Sequence, residues 1–69
     1  MNNNNMTKEK LDRLIIEAMA IMNSGDLDTD DKSHREVFCQ IKQYVKEKGS
    51  YALKKYRFGE QVKVVANWF

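Results

Sequence analysis

Residues 46–69, KEKGSYALKKYRFGEQVKVVANWF, decide the fold class, because they fit either two short helices or a β-hairpin. In the helical interpretation Ser50 caps a first helix, RFG forms a turn, and a last helix starts at Glu60. Apolar side chains then recur at steps of four, three and four, which marks one face of a helix: Phe58, Val62, Val65 and Phe69. We therefore predict helices over residues 51–57 and 60–68.

The hairpin interpretation pairs YALKKYRF with VKVVANWF across a turn at GEQ. Both runs are rich in the aromatic and β-branched residues that strands favour. Their alternation is poor, since Val64 and Val65 are adjacent and Lys54–Lys55 interrupts the first run. No Asn-Gly or Asp-Gly pair marks a tight hairpin turn. Two helices followed by a C-terminal hairpin, an α+β fold, is the alternative to the helical prediction.

Two longer helices are predicted upstream. The first, over residues 7–24, has Thr7 as N-cap and Gly25 as C-cap, and its apolar stripe is Leu11, Leu14, Ile15, Ala18, Met19 and Met22. The second runs from Thr29 or Asp30 to Gly49, and its buried face is Val37, Phe38, Ile41, Tyr44 and Val45. The sequence therefore predicts a mainly α domain of three or four helices over residues 7–69, behind a disordered Asn-rich tail at residues 1–6.

The predicted first helix also carries apolar side chains outside its stripe, namely Ile16 and Ile21. Together with Met22 they exceed what a few short helices can cover. A chain of 69 residues also has a marginal core. These features predict a homodimer formed through the first helix.

Composition argues for a cytoplasmic protein with no membrane segment. The single cysteine, Cys39, cannot form an internal disulfide, which suits a reducing compartment. No apolar run approaches the roughly 20 residues that a bilayer requires. The N-terminal stretch also lacks the hydrophobic region of a signal peptide.

No motif of catalytic or metal-binding chemistry is complete. Asp26, Asp28 and Asp30 begin like a calcium loop, but Asp31 stands at the sixth position and Val37 at the twelfth. A helix-capping loop is the expected role of this segment. The lone His34 has no partner ligands for zinc, and Cys39 is five residues away, on another side of a helix. We therefore expect no enzyme activity, no cofactor and no metal.

Charge is unevenly distributed along the chain. Residues 1–31 carry a net charge of −4, and residues 32–69 carry +6. Such asymmetry favours a polyanionic partner or self-association of unlike ends, although two solvated faces that merely differ would look the same.

Residues 41–69 resemble the helix-turn-helix of small repressor-type DNA-binding proteins. A basic helix ending in KEKG is followed by an Ala/Leu helix, a glycine turn and a recognition helix, and the matching residues are Gly49, Ala52, Leu53, Gly59, Val65 and Trp68. The match covers less than half of the chain. Alignment on Ala52 also places Tyr56 where the turn glycine belongs. The resemblance implies a homodimeric transcription regulator that binds DNA.

The DNA-binding residues predicted on this basis follow from their side-chain chemistry. Lys54, Lys55 and Arg57 would neutralise phosphates. Gln61 and Asn67 can bond adenine bidentately from the outer face of the last helix, where Lys63 also lies.

The alternative function is a protein–protein interaction module that binds and modulates a larger protein, and a small chain of this kind suits a phage or mobile-element product. Tyr51, Tyr56, Trp68 and Phe69 cluster near the C-terminus and are expected mostly in the core. Trp68 and Phe69 are the candidate partner-binding residues, since exposed aromatic side chains dominate binding hot spots.

Overall fold

The computed structural model describes residues 8–69 and contains three α-helices and one 3-10 helix in that range. The elements in chain order are α1 (Lys8–Ser24), α2 (Lys32–Lys48), the 3-10 helix (Ser50–Leu53) and α3 (Gly59–Ala66). Residues 8–69 contain no strand, so the mainly α prediction is confirmed and the hairpin alternative is wrong. The predicted tail at residues 1–6 and the Thr7 cap lie outside the described residues.

Helix α2 lies at the centre of the fold and packs against α1, α3 and the 3-10 helix. Its side chains Phe38 and Ile41 are fully buried, and Val37 is buried beside them. Tyr44 and Val45 extend the same face and are half-buried against the core. The buried face predicted from the spacing of apolar residues is therefore confirmed.

The other elements complete the core from three sides. Helix α1 contributes its predicted stripe, and α3 contributes its inward face, so that the buried partners of α2 are Leu11, Leu14, Ile15, Ala18, Leu53, Val62, Val65 and Ala66. At the end of the chain, the Phe69 ring stacks on the Phe38 ring with a centroid distance of 4.9 Å and an interplanar angle of 8°. The aromatic stack fixes the residues that follow α3 onto α2.

The loop between α1 and α2 caps both helices. Gly25 takes a φ of 77°, the left-handed conformation predicted for the C-cap of α1. The N-cap of α2 is Asp31 and not Thr29 or Asp30. Its Oδ1 accepts hydrogen bonds from the backbone N–H groups of Ser33 and His34 at 2.8 and 3.2 Å. The expected helix-capping role of this acidic segment is confirmed, with the cap one residue later than the nearer of the two predicted positions.

The segment after α2 differs from the sequence prediction. Helix is limited to one 3-10 turn at Ser50–Leu53, with Gly49 as the capping residue, and residues 54–57 form turns and bends. Helix α3 starts at Gly59 and ends at Ala66, two residues before the predicted end. Phe58 precedes the helix and is exposed, so it does not share the inward face of Val62 and Val65.

Gly59 explains why α3 can start so close to the 3-10 helix. A Cβ atom at this buried position would lie 2.0 Å from the carbonyl oxygen of Leu53. Two turn hydrogen bonds accompany the close approach: Tyr56 N–H donates to the Leu53 carbonyl, and Gly59 N–H donates to the Tyr56 carbonyl, each at 3.1 Å. Only glycine permits this packing of backbone against backbone.

We expect Gly59→Ala to lower the free energy of unfolding by at least about 1–3 kcal/mol, because the added methyl group forces the 3-10 helix and α3 apart. Helix propensity alone would predict the opposite sign, a gain of up to about 1 kcal/mol. Urea denaturation monitored by circular dichroism measures the change. Gln61→Ala, at an exposed position of the same helix, is the matched control and should remain within about 0.5 kcal/mol of the parent.

Candidate nucleic-acid interface

Opposite charges occupy opposite ends of α2. The loop before the helix carries four carboxylates and no cation at residues 26–31; we call this stretch the acidic loop. Residues 42–63, the basic end, carry seven cationic and two acidic side chains, a net charge of +5. A helix of 17 residues is about 25 Å long, which separates Asp31 from the last turn of α2. The asymmetry in the sequence is therefore also an asymmetry in space.

Within the basic end, residues 51–58 form a basic–aromatic segment. Three of its cations each lie over a neighbouring ring. Lys54 Nζ is 5.9 Å from the Tyr51 centroid, and Lys55 Nζ is 5.4 Å from the Tyr56 centroid. Arg57 Cζ is 5.6 Å from the centroid of a third ring, that of Phe58. These distances are within cation–π range, so each cation makes a weak favourable contact with its neighbouring ring.

Tyr56 attaches this segment to α1. Its hydroxyl donates a hydrogen bond to Asp12 Oδ1, and both side chains are half-buried. Burial raises the pKa of the Tyr56 hydroxyl well above its ordinary value, and the hydrogen bond to Asp12 and the charge of that carboxylate raise it further. The residues that flank Tyr56 are thereby fixed relative to the first helix.

A second basic surface is the groove between α2 and α3, the α2–α3 groove. Its apolar floor is Val45 and Ala66, and its polar rim is Lys42, Lys46, Ser50, Lys63 and Asn67. No carboxylate lines it. Glu60 Oε2 lies 3.9 Å from Lys63 Nζ, but the Glu60 side chain is itself largely exposed. The groove therefore presents three ammonium groups together.

The third surface is the α1–α3 depression, which is mainly apolar. Met22 and Asn23 of α1 face Gln61, Val64 and Trp68 across it. Trp68 is 59% exposed. Because Gln61 lines this depression, it lies on the side of α3 away from the α2–α3 groove.

The six predicted DNA-binding residues are thus divided among three places. Lys54, Lys55 and Arg57 belong to the basic–aromatic segment, where each contacts a neighbouring ring. Lys63 and Asn67 line the α2–α3 groove, and Gln61 lines the α1–α3 depression. Helix α3 does not present these last three side chains as one compact face.

Sequence reasoning missed two participants of the basic end. Lys42 and Lys46 line the α2–α3 groove, and their four-residue spacing on the outer side of α2 was the available signal. Tyr51 was expected in the core, yet it is 78% exposed.

The two candidate partner-binding residues differ from each other. Trp68 is exposed, whereas Phe69 is half-buried in the stack with Phe38. The apolar surface expected for a homodimer is also smaller than predicted. Ile21 and Met22 pack on the core, and Ile16 remains 67% exposed.

Other chemistry is sparse within residues 8–69. His34 Nδ1 accepts the backbone N–H of Asp28 at 3.3 Å, so this side chain helps to organise the acidic loop. Cys39 is exposed and free. No group of three potential metal-ligating side chains occurs in the described part of the chain. Every helix there is too short or too polar to cross a membrane.

No family model, curated protein or solved structure matches this chain.

Tyr56→Phe should lower the free energy of unfolding at pH 7 by about 1–2 kcal/mol, because it removes a half-buried hydrogen bond to a carboxylate. A pKa raised in the folded state stabilises the protein below the ordinary tyrosine pKa of about 10. This contribution declines as pH rises above that value, because the unfolded chain then loses the proton first. The difference between parent and variant should therefore shrink between about pH 10 and 11. Urea denaturation at several pH values measures this difference in unfolding free energy. A difference that stays undiminished at high pH would contradict the hydrogen bond from Tyr56 to Asp12 as its cause.

Proposed function

We propose that this protein is a small nucleic-acid-binding protein, in the first place a DNA-binding regulator, and that the basic end makes the contact. The observation that supports this most directly is the separation of charge along α2. Seven cations lie within residues 42–63, and the last turn of α2 is about 25 Å from the acidic loop at the other end of the helix. A polyanion can contact the last turn of α2 and the basic–aromatic segment without approaching the carboxylates of the acidic loop.

The arrangement favours contacts to phosphates over the reading of bases by α3. Two groups of cations, in the basic–aromatic segment and along the α2–α3 groove, suit a charged backbone. The first exposed position of α3 is Glu60. Its carboxylate would repel the DNA phosphates if α3 entered a groove of the duplex. Affinity should therefore depend strongly on salt and weakly on sequence.

The test is a fluorescence titration with mixed-sequence DNA, as single strand and as duplex, over a series of salt concentrations. Lys54→Ala, Lys55→Ala and Arg57→Ala should each weaken binding and reduce the slope of log K against log salt by about one unit. Lys32→Ala is the matched control, since it removes the same charge at the opposite end of α2. It should leave both affinity and slope unchanged. Absence of detectable binding to either DNA at about 50 μM protein and low salt would remove the proposal.

A protein–protein interaction module is the second candidate, and the exposure of Trp68 favours it. A large aromatic side chain beside Val64 and Met22, with more than half of its surface open, is a suitable anchor for a partner. In this case the α1–α3 depression, and not the basic end, makes the contact. The homodimer expected from the sequence would instead form through α1, where Ile16 is exposed outside this depression.

Trp68 and Phe69 are neighbours in the chain but differ in burial, so their substitution distinguishes loss of binding from loss of stability. Trp68→Ala should abolish capture of a protein partner by the immobilised chain and leave the unfolding free energy nearly unchanged, because the side chain is exposed. Phe69→Ala should instead destabilise the fold by roughly 1–3 kcal/mol, less than a fully buried phenylalanine, since it removes the stack on Phe38. If Trp68→Ala retains every captured partner, the depression is not the binding surface.

A further inference from the structure

Tyr51 is the most exposed large apolar side chain among the described residues, at 78%, and it lies within the basic end. It belongs to the 3-10 helix, whose buried contact with the core is made by Leu53. Because the Tyr51 side chain is exposed, it contributes little to the stability of the fold. An exposed ring fixed on a short helix is available for contact with another flat group.

The surroundings of the ring determine which flat group fits. Tyr44 and Ala52 line a surface depression of about 520 Å³ together with Tyr51, and Lys54 and Lys55 complete its rim. Within this depression the Lys54 ammonium lies 5.9 Å from the Tyr51 centroid. Two tyrosines and two lysines thus combine an aromatic surface with positive charge and no carboxylate.

This combination matches an unpaired nucleotide, which joins a flat base to a negatively charged phosphate. Proteins that bind single strands use aromatic side chains as stacking surfaces and cations along the backbone. A duplex offers phosphates but keeps its base faces stacked inside, so an exposed tyrosine gains nothing from it. We propose that the preferred ligand of the basic end is single-stranded nucleic acid, with a base stacked on Tyr51 and the adjoining phosphates bound by Lys54 and Lys55. The inference rests on the proposed function and names its substrate class.

Electrostatics alone predicts the opposite preference. A duplex has the higher charge density. It releases about 0.9 counterions for each phosphate that is neutralised, whereas a single strand releases about 0.7. A preference for single strands therefore requires a contact other than charge. Stacking on Tyr51 is the contact that the structure offers.

The experiment compares binding of a mixed-sequence oligonucleotide of about 15 nucleotides with its own duplex, at equal salt, by fluorescence anisotropy. We expect the single strand to bind at least about fivefold more tightly. Tyr51→Ala should weaken single-strand binding by about 5- to 150-fold and leave its salt slope unchanged, because no charge is removed. Tyr51→Phe should retain the affinity, since the ring remains. Trp68→Ala is the control, an exposed aromatic side chain that lines the separate α1–α3 depression.

The outcomes distinguish this inference from the function on which it rests. Binding of both nucleic acids with the duplex equal or tighter, or an unchanged affinity after Tyr51→Ala, overturns the single-strand inference and leaves nucleic-acid binding intact. Failure of both ligands to bind overturns the two together. An upfield shift of the Tyr51 ring protons on addition of the single strand, absent with the duplex, is the spectroscopic signature of the stack.

Discussion

The burial of one face of α2 is the constraint on which the rest of the structure depends. Within the described residues α2 packs against every other helix, most extensively against α1, and Phe38 and Ile41 at its centre have no exposed surface. A chain of this size buries only about 60% of the surface it exposes when unfolded. It has little stability to spare, so the centre of the α2 face must be covered by α1, the 3-10 helix and α3. The charged residues of α2 are consequently confined to its outer sides, where Lys42 and Lys46 border α3.

A second constraint, the close approach of Gly59 to Leu53, determines how α3 is placed on that face. The helix begins directly against the 3-10 helix, so its first turn is fixed and its two edges face different neighbours. One edge of α3, which carries Lys63, lines the α2–α3 groove. The other edge, which carries Gln61, lines the α1–α3 depression. Gln61 and Lys63 are two residues apart and therefore point to opposite sides of α3, and the packing at Gly59 determines where α3 begins against the 3-10 helix.

The two long helices could be predicted from the sequence, because their apolar residues recur over several turns. The region after Gly49 was harder. The spacing of Phe58 with Val62 suggested one continuous face, but α3 starts only at Gly59, and the backbone at Phe58 leaves the helical region, with φ −112° and ψ 28°. A 3-10 turn of four residues carries no detectable periodicity, and its formation depends on the tertiary contact of Leu53.

The candidate site was predictable only in part for a related reason. The charge of Lys54, Lys55 and Arg57 could be read from the sequence, and all three side chains are exposed, although the segment forms turns where a helix was predicted. Which residues share a surface with Lys63 depends instead on how α3 lies across α2, and no local pattern contains that information. Tyr51 illustrates the same limit. A tyrosine is most simply assigned to the core, yet here Leu53 fills the core position of the 3-10 helix and the tyrosine is left outside.

The arrangement of charge along α2 gives the molecule a large electric dipole moment, with its positive pole at the basic end and its negative pole at the acidic loop. In the field of a polyanion such a dipole is turned before contact, so that encounters begin with the basic end in front and productive collisions become more frequent. At physiological ionic strength the Debye length of about 8 Å is much shorter than the roughly 25 Å between the acidic loop and the last turn of α2. The acidic loop can therefore contribute to orientation at low salt without weakening the complex once it has formed.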